Sequence, residues 1–583
     1  MRLVQRRVIA LVLIGSLVLS ACGGGSASAP NSAVGTAASS LQISADPSAL
    51  AVPAGGNGSF LLNVSPSSSI PVAVNLGNAP SGITLTAGTT TASSGQQSEQ
   101  LMVDGTLAPG TYALNLDATS GSETATTTLS LLVNPALPAS LLQVEQQTFQ
   151  YFWNTTNPVN GLAPDHWPGA SYASIAATGF ALSAYPIGVQ NGWVTRAQAA
   201  QRVLTTLQFL ASLPQGSASS GDAGDHGFFY HFLDINTGVR YGASEISSVD
   251  TALLMAGVLF DASYFDQANS TELQIRTLAN QLFDDVDWPW MTQADPPLIN
   301  LAWTPETGFS PYNWQGYNEA MILYIEAMGS PTYPVSADAW NAWASTYPAF
   351  WGTYYGRQYL SFGPLFGFQY SQAWIDFRGI QDVWMRAQGI DYFINSRRAA
   401  EAQQSYAIAD PMGWTGYGAD LWGLTACDGP GNFTLTSATG QVRTFKGYYA
   451  RGAGRQDSFD DGTIASTAAL GSIAFAPAIV IPTMESMLST YGAYIQGQYG
   501  LFDAFNPSFT YAGVTPDSGS VVPGEGWFDS EYLGIDQGPI LMMLENYRSG
   551  LEWSVMRGNS VIVDGLQRAG FTGGWLAGTP DLQ

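Results

Sequence analysis

At Asn134-Pro135-Ala136-Leu137-Pro138 the apolar residues stop alternating and begin to recur every third or fourth position. That switch constrains the fold more than any other feature. A strand sends successive side chains to opposite faces, whereas a helix gathers i, i+3 and i+4 on one face. Before the switch, Ser59–Val64, Val72–Leu76, Tyr112–Leu116 and Thr124–Val133 read as strands, with turns at Pro53-Ala54-Gly55-Gly56 and Ala108-Pro109-Gly110. Short strands at this spacing predict an immunoglobulin-like β-sandwich over residues 41–134. A linker at 135–140 follows. Beyond it the period predicts about a dozen helices, among them Ser247–Phe265, Gly316–Met328, Trp374–Tyr392, Asp461–Ala474, Met484–Gln496 and Asp536–Glu545. The loops between them are rich in Gly, Pro, Trp and Tyr. No strand–helix alternation and no fixed repeat accompanies these helices. They predict a closed toroid of paired helices, an (α/α)6 barrel over 141–583, with its loops gathered as a cleft at one end.

The start of the chain has its own signature. Arg2, Arg6 and Arg7 precede the apolar run Val8–Ile14, which reads as an export signal over residues 1–21. Leu19-Ser20-Ala21-Cys22 resembles a bacterial lipobox. That resemblance implies cleavage before Cys22 and lipidation of its thiol and new amine, with Gly23 in place of an inner-membrane retention Asp. Residues 22–40 read as a flexible Gly/Ser/Ala tether. The expected location is therefore outside the cytoplasm, lipid-anchored at the outer membrane and facing periplasm or cell surface. The other cysteine, Cys427, has no histidine near it in sequence and reads as a buried, inert thiol.

Charge narrows the partner. The chain carries 19 Lys and Arg against 44 Asp and Glu, a net charge of −25, with charged residues only 11% of the total. A duplex nucleic acid needs clustered cations, and a phosphate loop needs a Lys after its glycines. The single lysine, Lys446, stands in Arg443-Thr444-Phe445-Lys446-Gly447 and supplies neither. Aromatic residues make up 12%. Their ring faces stack on sugar C–H faces while carboxylates and amides take sugar hydroxyls, so a neutral saccharide suits this composition. No partner chain is called for, and a monomer is expected.

Five segments carry candidate chemistry. Glu245-Ile246-Ser247-Ser248-Val249-Asp250 opens a predicted helix, where Asp250 serves either the helix start or a site. In Trp314-Gln315-Gly316-Tyr317-Asn318-Glu319, the acid is wedged between aromatics and an apolar run. Burial there would raise its pKa, although a polar helix face is an equal reading. The third segment, Gly363–Arg378, reads as a turn and an aromatic loop with Asp376 and Arg378 paired. In the fourth, Trp422–Pro430 with Asp460-Asp461-Gly462, Asp428 reads as a turn residue and Asp461 as a helix opener. These acids lack calcium-loop spacing, so no metal is expected. The fifth interleaves Asp503, Asn506, Trp527, Asp529 and Asp536 with aromatics, most of which core packing would claim. His166, His226 and His231 show no zinc motif, and no nucleophile elbow appears. A cofactor-free enzyme working with a pair of carboxyls, as glycosidases do, is the simplest reading.

Taken in order, the segments Ser247–Leu254, Gly316–Ile322, Trp422–Pro430, Asp503–Asn506 and Ile535–Tyr547 resemble the glycoamylase-like domain family, over about Leu141–Trp575. Its relatives include the endo-β-1,2-glucanases of glycoside hydrolase family 144. The resemblance implies an (α/α)6 barrel and inverting cleavage of a β-glucan. It implies Glu319 as general acid and Asp503 as base, with Asp536 and Asp250 behind it. Glu245, Trp314, Tyr317, Arg378, Trp422, Asn506 and Trp527 are the implied substrate contacts. A transglycosylase or phosphorylase on the same scaffold, or a non-catalytic glycan-binding lipoprotein, are the alternatives. Phe368 stands where relatives often carry His.

Overall fold

A computed structural model describes residues 41–578, apart from 47–48, 66–71, 88–95, 170, 293–294, 438–439, 456–457 and 512. The export signal, the lipidation site Cys22 and the tether lie outside the described residues. Among the described residues, no helix is long and apolar enough to cross a membrane.

The N-terminal region is β-rich. Strands β1 (Gln42–Asp46), β2 (Ala49–Pro53), β3 (Asn57–Ser65), β4 (Ala73–Leu76), β5 (Ile83–Ala87), β6 (Gln96–Val103), β7 (Gly110–Ser120) and β8 (Glu123–Asn134) make two four-stranded sheets. Their orders are β1-β3-β6-β5 and β2-β8-β7-β4, with β2 parallel to β8. Alternation does what the sequence predicts. Leu114 and Leu116 of β7, and Leu129, Leu131 and Val133 of β8, point inward onto Phe60, Leu62 and Leu101. Their neighbours face water.

The rest is helical: α1 (Ala139–Thr155), α2 (Ile175–Gln190), α3 (Arg196–Ser212), α4 (Ser248–Tyr264), α5 (Ser270–Asp284), α6 (Met321–Gly329), α7 (Ala337–Ala344), α8 (Phe366–Trp374), α9 (Val383–Gln388), α10 (Tyr392–Ala409), α11 (Ser466–Leu470), α12 (Pro477–Ile495), α13 (Gly534–Arg548), α14 (Leu551–Met556) and α15 (Ser560–Arg568). Helices α2, α4, α6, α8, α11 and α13 are buried on nearly every side. Amphipathic helices such as α1, α3 and α5 cover them, which is why only the outer set shows a clear apolar stripe. Successive inner helices touch. Helix α2 packs on α4 and α13, and α4 packs on α6. Ser371 of α8 donates to the Glu319 carbonyl at the mouth of α6, 2.9 Å. Gln369 of α8 donates to the Ala468 carbonyl of α11, 3.0 Å. Thr467 of α11 donates to the Asp536 carbonyl of α13, 3.0 Å. Glycine permits the tightest of these approaches: a Cβ on Gly179 would stand 2.2 Å from the Leu253 carbonyl oxygen, and one on Gly257 2.2 Å from that of Gly179.

Two expectations for elements are corrected. The segment Phe366–Trp374, read as part of an aromatic loop, is α8, while most of the predicted helix Trp374–Tyr392 is not helical before Val383. Its Gln369, Ser371 and Gln372 side chains find buried partners, which makes an interior helix affordable despite their polarity. The chain turns after Trp374 because Asp376 accepts the Arg378 backbone N–H, 3.0 Å, and Gly379 takes φ +74°. Asp461 does not open a helix. It is buried against Arg451, 2.8 Å, and α11 begins at Ser466.

Candidate active site

Short antiparallel pairs lead into the inner helices and tie their N-terminal ends together. His166–Trp167 pairs with Tyr532–Leu533, and the Gly534 N–H donates to the Asp165 carbonyl at 2.9 Å. The mouths of α2 and α13 are thus fastened side by side. Ile246–Ser247 pairs with Ala302–Trp303 before α4, and Ile464–Ala465 pairs with Ala504–Phe505 before α11. The Ser247 hydroxyl caps α4 by accepting the Asp250 N–H. Carboxylates collect at these mouths, where the unpaired N–H groups and the positive ends of the helix dipoles face them.

The first group of acids surrounds α4 and α6. Glu319 lies just before α6, is buried, and has Oε2 without a hydrogen-bond partner. Burial, with a smaller push from the Asp250 charge, raises its pKa to about 7. Asp250 meets His231 Nε2 at 3.8 Å, and Glu245 meets His231 Nδ1 at 2.9 Å. Burial opposes a charge on His231, but Asp250 and the Glu245 hydrogen bond carry its pKa to about 9. It is therefore an imidazolium at neutral pH.

The second group surrounds α13. Asp503 and Asp536 face one another, and burial raises both above the ordinary aspartate range; the Asp536 contact raises Asp503 further, while the Asp503 hydrogen bond lowers Asp536. Two carboxyls so placed hold a proton between them at a pH where isolated aspartates hold none. Asp503 Oδ2 also accepts the Asp428 N–H at 2.6 Å. His166 bridges Asp165 (Nδ1, 2.6 Å) and Asp428 (Nε2, 3.3 Å). Burial pulls the His166 pKa down, but these two hydrogen bonds take it to about 11. Asp529 is buried near Asp503 and Asp428, and its pKa is pushed up to about 8. Asp428, Asp503 and Asp529 each offer an oxygen within 4.8 Å of the others, a grouping that could hold a cation if fully deprotonated. Burial favours the protonated state of Asp503 and Asp529 instead.

Tyr370 is linked to both groups. Its buried phenol feels the charges of Asp536, Glu319 and Asp250. Tyr448, with half its surface exposed, brings its hydroxyl under the influence of Asp536, Asp503 and Asp165. Both sets of acids are thus within electrostatic reach of these tyrosines. A protonated carboxyl in one set can give up a proton, and a carboxylate in the other can take one.

Of the residues singled out in the sequence, Glu319, Asp250, Glu245, Asp503 and Asp536 meet here. Trp314 belongs beside them, its indole N–H donating to Ser248 Oγ at 3.0 Å. Five others do not join these acids. Tyr317 is buried and stacked on Tyr392, and Trp422 is buried with its N–H on Thr483 Oγ1. Trp527 is buried with its N–H on the Ser518 carbonyl, and Asn506 is spent on Asp461 and Thr463. Arg378 follows the C-terminal end of α8. There it pairs with Asp376 at 2.8 Å and lies over Trp553. Asp165, Tyr370 and Tyr448 were not singled out, Asp428 was read only as a turn residue, and His166, His231 and Asp529 were noted without a role. In a chain with one lysine and three histidines, a histidine close to an acid was the available signal.

Comparison with known proteins follows this geometry. A family model described as "Putative glucoamylase" matches residues 311–560, which include Glu319, Asp503 and Asp536. A Bacteroides uniformis protein of the same description is 32% identical, with 75% of this chain and 98% of that one covered and a TM-score of 0.64. The chain belongs to the glycoamylase-like family. Within it, the endo-β-1,2-glucanase of Chitinophaga pinensis, solved with sophorotriose and glucose, is 27% identical over 75% of this chain and 99% of its own, with a TM-score of 0.63. An exo-β-1,2-glucooligosaccharide sophorohydrolase acting at the non-reducing end, from Parabacteroides distasonis, is 29% identical over 78% of this chain. This chain spans 60% of that relative's length.

Proposed function

We propose that this glycoamylase-like protein is a glycoside hydrolase that cleaves β-1,2-glucan internally with inversion. The observation that carries the reading is Glu319, a buried carboxyl with a free oxygen and a pKa raised to about 7, whose charge acts on Tyr370 together with that of Asp536. Glu319 donates its proton to the glycosidic oxygen as the bond from the anomeric carbon breaks. Water attacks that carbon from the opposite face and loses its proton to Asp503, directly or through a sugar hydroxyl. The Asp503–Asp536 pair holds a proton between its two carboxyls, and the Asp428 N–H on Asp503 Oδ2 favours leaving the remaining charge on Asp503, the form this step needs. Glu245 and Trp314 contact the sugar. The β-1,2 linkage is supported by the named activities of two relatives. The same reading makes the ring of inner helices an (α/α)6 toroid and the β-rich region an immunoglobulin-like spacer. It places the exported chain on a membrane through a lipid at Cys22.

The test is to incubate the full chain with linear β-1,2-glucan, laminarin, starch and cellulose and follow the products. Mixed β-1,2-oligosaccharides, initially of inverted anomeric form, are expected. Release of the disaccharide alone would change endo to exo action. Glu319→Gln should lower kcat by about 10²- to 10⁴-fold. Folded protein that cleaves none of the four glucans would falsify the reading.

A further inference from the structure

Near the candidate active site lies a cavity of about 320 Å³, a size within the range of small-ligand sites. Its walls are the rings of Phe350, Phe362, Tyr449 and Phe459, with Arg455 at one side. Tyr449 and Phe459 meet edge to face at 4.8 Å, and the Arg455 guanidinium lies over Phe350 at 4.4 Å. Tyr449 keeps 43% of its surface exposed, so its ring is not spent on core packing.

Three contacts link the cavity walls to the candidate active site. Phe362 meets Phe366 at 5.5 Å, and Phe366 meets Tyr370 at 5.2 Å, the tyrosine linked to both acid groups. Phe350 packs directly over Gly316, three residues before Glu319. Tyr449 is the next residue after Tyr448, whose hydroxyl faces Asp503 and Asp536. Among the described residues that line it there is no carboxylate, and Arg455 is the one cation. The Arg455 guanidinium is already engaged, donating to the Ala349 carbonyl. The ring faces suit the C–H faces of a neutral pyranose.

We propose that this cavity is a distal glucosyl subsite, which holds a unit of the glucan chain away from the scissile bond and makes affinity depend on chain length. The proposal rests on the glucan-hydrolase reading above and extends it.

The experiment uses the full chain and a ladder of β-1,2-glucooligosaccharides of increasing length. KM of the wild-type protein should fall as the chain grows long enough to enter the cavity. In Tyr449→Ala that gain should shrink by about three- to tenfold, the worth of one aromatic contact. Tyr449→Phe, which keeps the ring, should recover most of it. An equal change at every length, or an unaltered length dependence in Tyr449→Ala, would overturn the subsite. Calorimetric binding of the same ladder separates the two readings. If the wild type binds without cleaving and Tyr449→Ala weakens only the long oligosaccharides, the hydrolase reading falls and the subsite stands. If neither protein binds the ladder, or both bind it alike, the subsite falls.

Discussion

Glu319 takes its pKa of about 7 mainly from burial and in smaller part from the charge of Asp250. The two causes can be separated. Asp250→Asn removes a negative neighbour, so the Glu319 pKa should drop and the alkaline limb of the kcat/KM profile should move to lower pH. A shift of the limb to higher pH, or no shift in an active variant, would contradict the assigned coupling. Glu319 was legible in the sequence because its surroundings are local: aromatic residues precede it and an apolar helix follows. Asp428 was not. It follows Cys427 in a segment that looks like a turn, and His166, which defines its role, lies more than 250 residues away. No local pattern announces a contact made only when two distant loops meet.

Among the elements, α8 shows how an aromatic stretch is misread. Phe366, Phe368, Tyr370 and Trp374 look like loop aromatics, yet their neighbours Gln369, Ser371 and Gln372 bond to α11, α6 and α10 from inside the molecule. An interior helix has no polar face and therefore no periodic signal. Two parts of α8 do different work. Its middle presents Tyr370 to the acids, and the turn after its C-terminal end carries the buried Asp376 with Arg378 and Arg557. Burial works against the Asp376 charge, but the two arginines hold its pKa well below the usual range. Arg378→Met should therefore cost about 1–3 kcal/mol of stability, since Arg557 still neutralises part of the charge. KM for glucan should not move. Chemical denaturation read beside steady-state kinetics checks both. A large rise in KM with unchanged stability would return Arg378 to the substrate.

Across the whole molecule, buried acids set the pH response. Burial raises Glu145 and Asp529 to about 8 and Glu319 and Asp536 to about 7, and it raises Asp261, Glu326 and Glu552 far above their ordinary values. Folding therefore takes up protons. This stabilisation is complete below the unfolded carboxyl range and is lost as pH rises through about 7 to 8. In the opposite sense, Arg196 lowers Glu272 to about 2 despite some burial, and the arginines beside Asp376 lower it too, so their contribution disappears in strong acid. Tm should peak in mildly acidic buffer, near pH 5, and fall across neutrality. Calorimetry across that range decides it, and a Tm that climbs from pH 6 to pH 9 would refute the account.

The sequence alone determined the β-to-helix division, most helix positions and the acid poised before α6, because hydrophobic period and local burial are properties of neighbouring residues. It also narrowed the expected partner to a neutral saccharide, since charge and aromatic content need no fold to be counted. Tertiary structure alone decided which acids face one another, that two histidines are held as cations among them, and that Arg378, Trp422, Trp527, Asn506 and Tyr317 serve packing. Those outcomes depend on loops brought together by strand pairs such as His166–Trp167 with Tyr532–Leu533. A pKa or a substrate contact follows from that proximity in space, which separation along the chain does not encode.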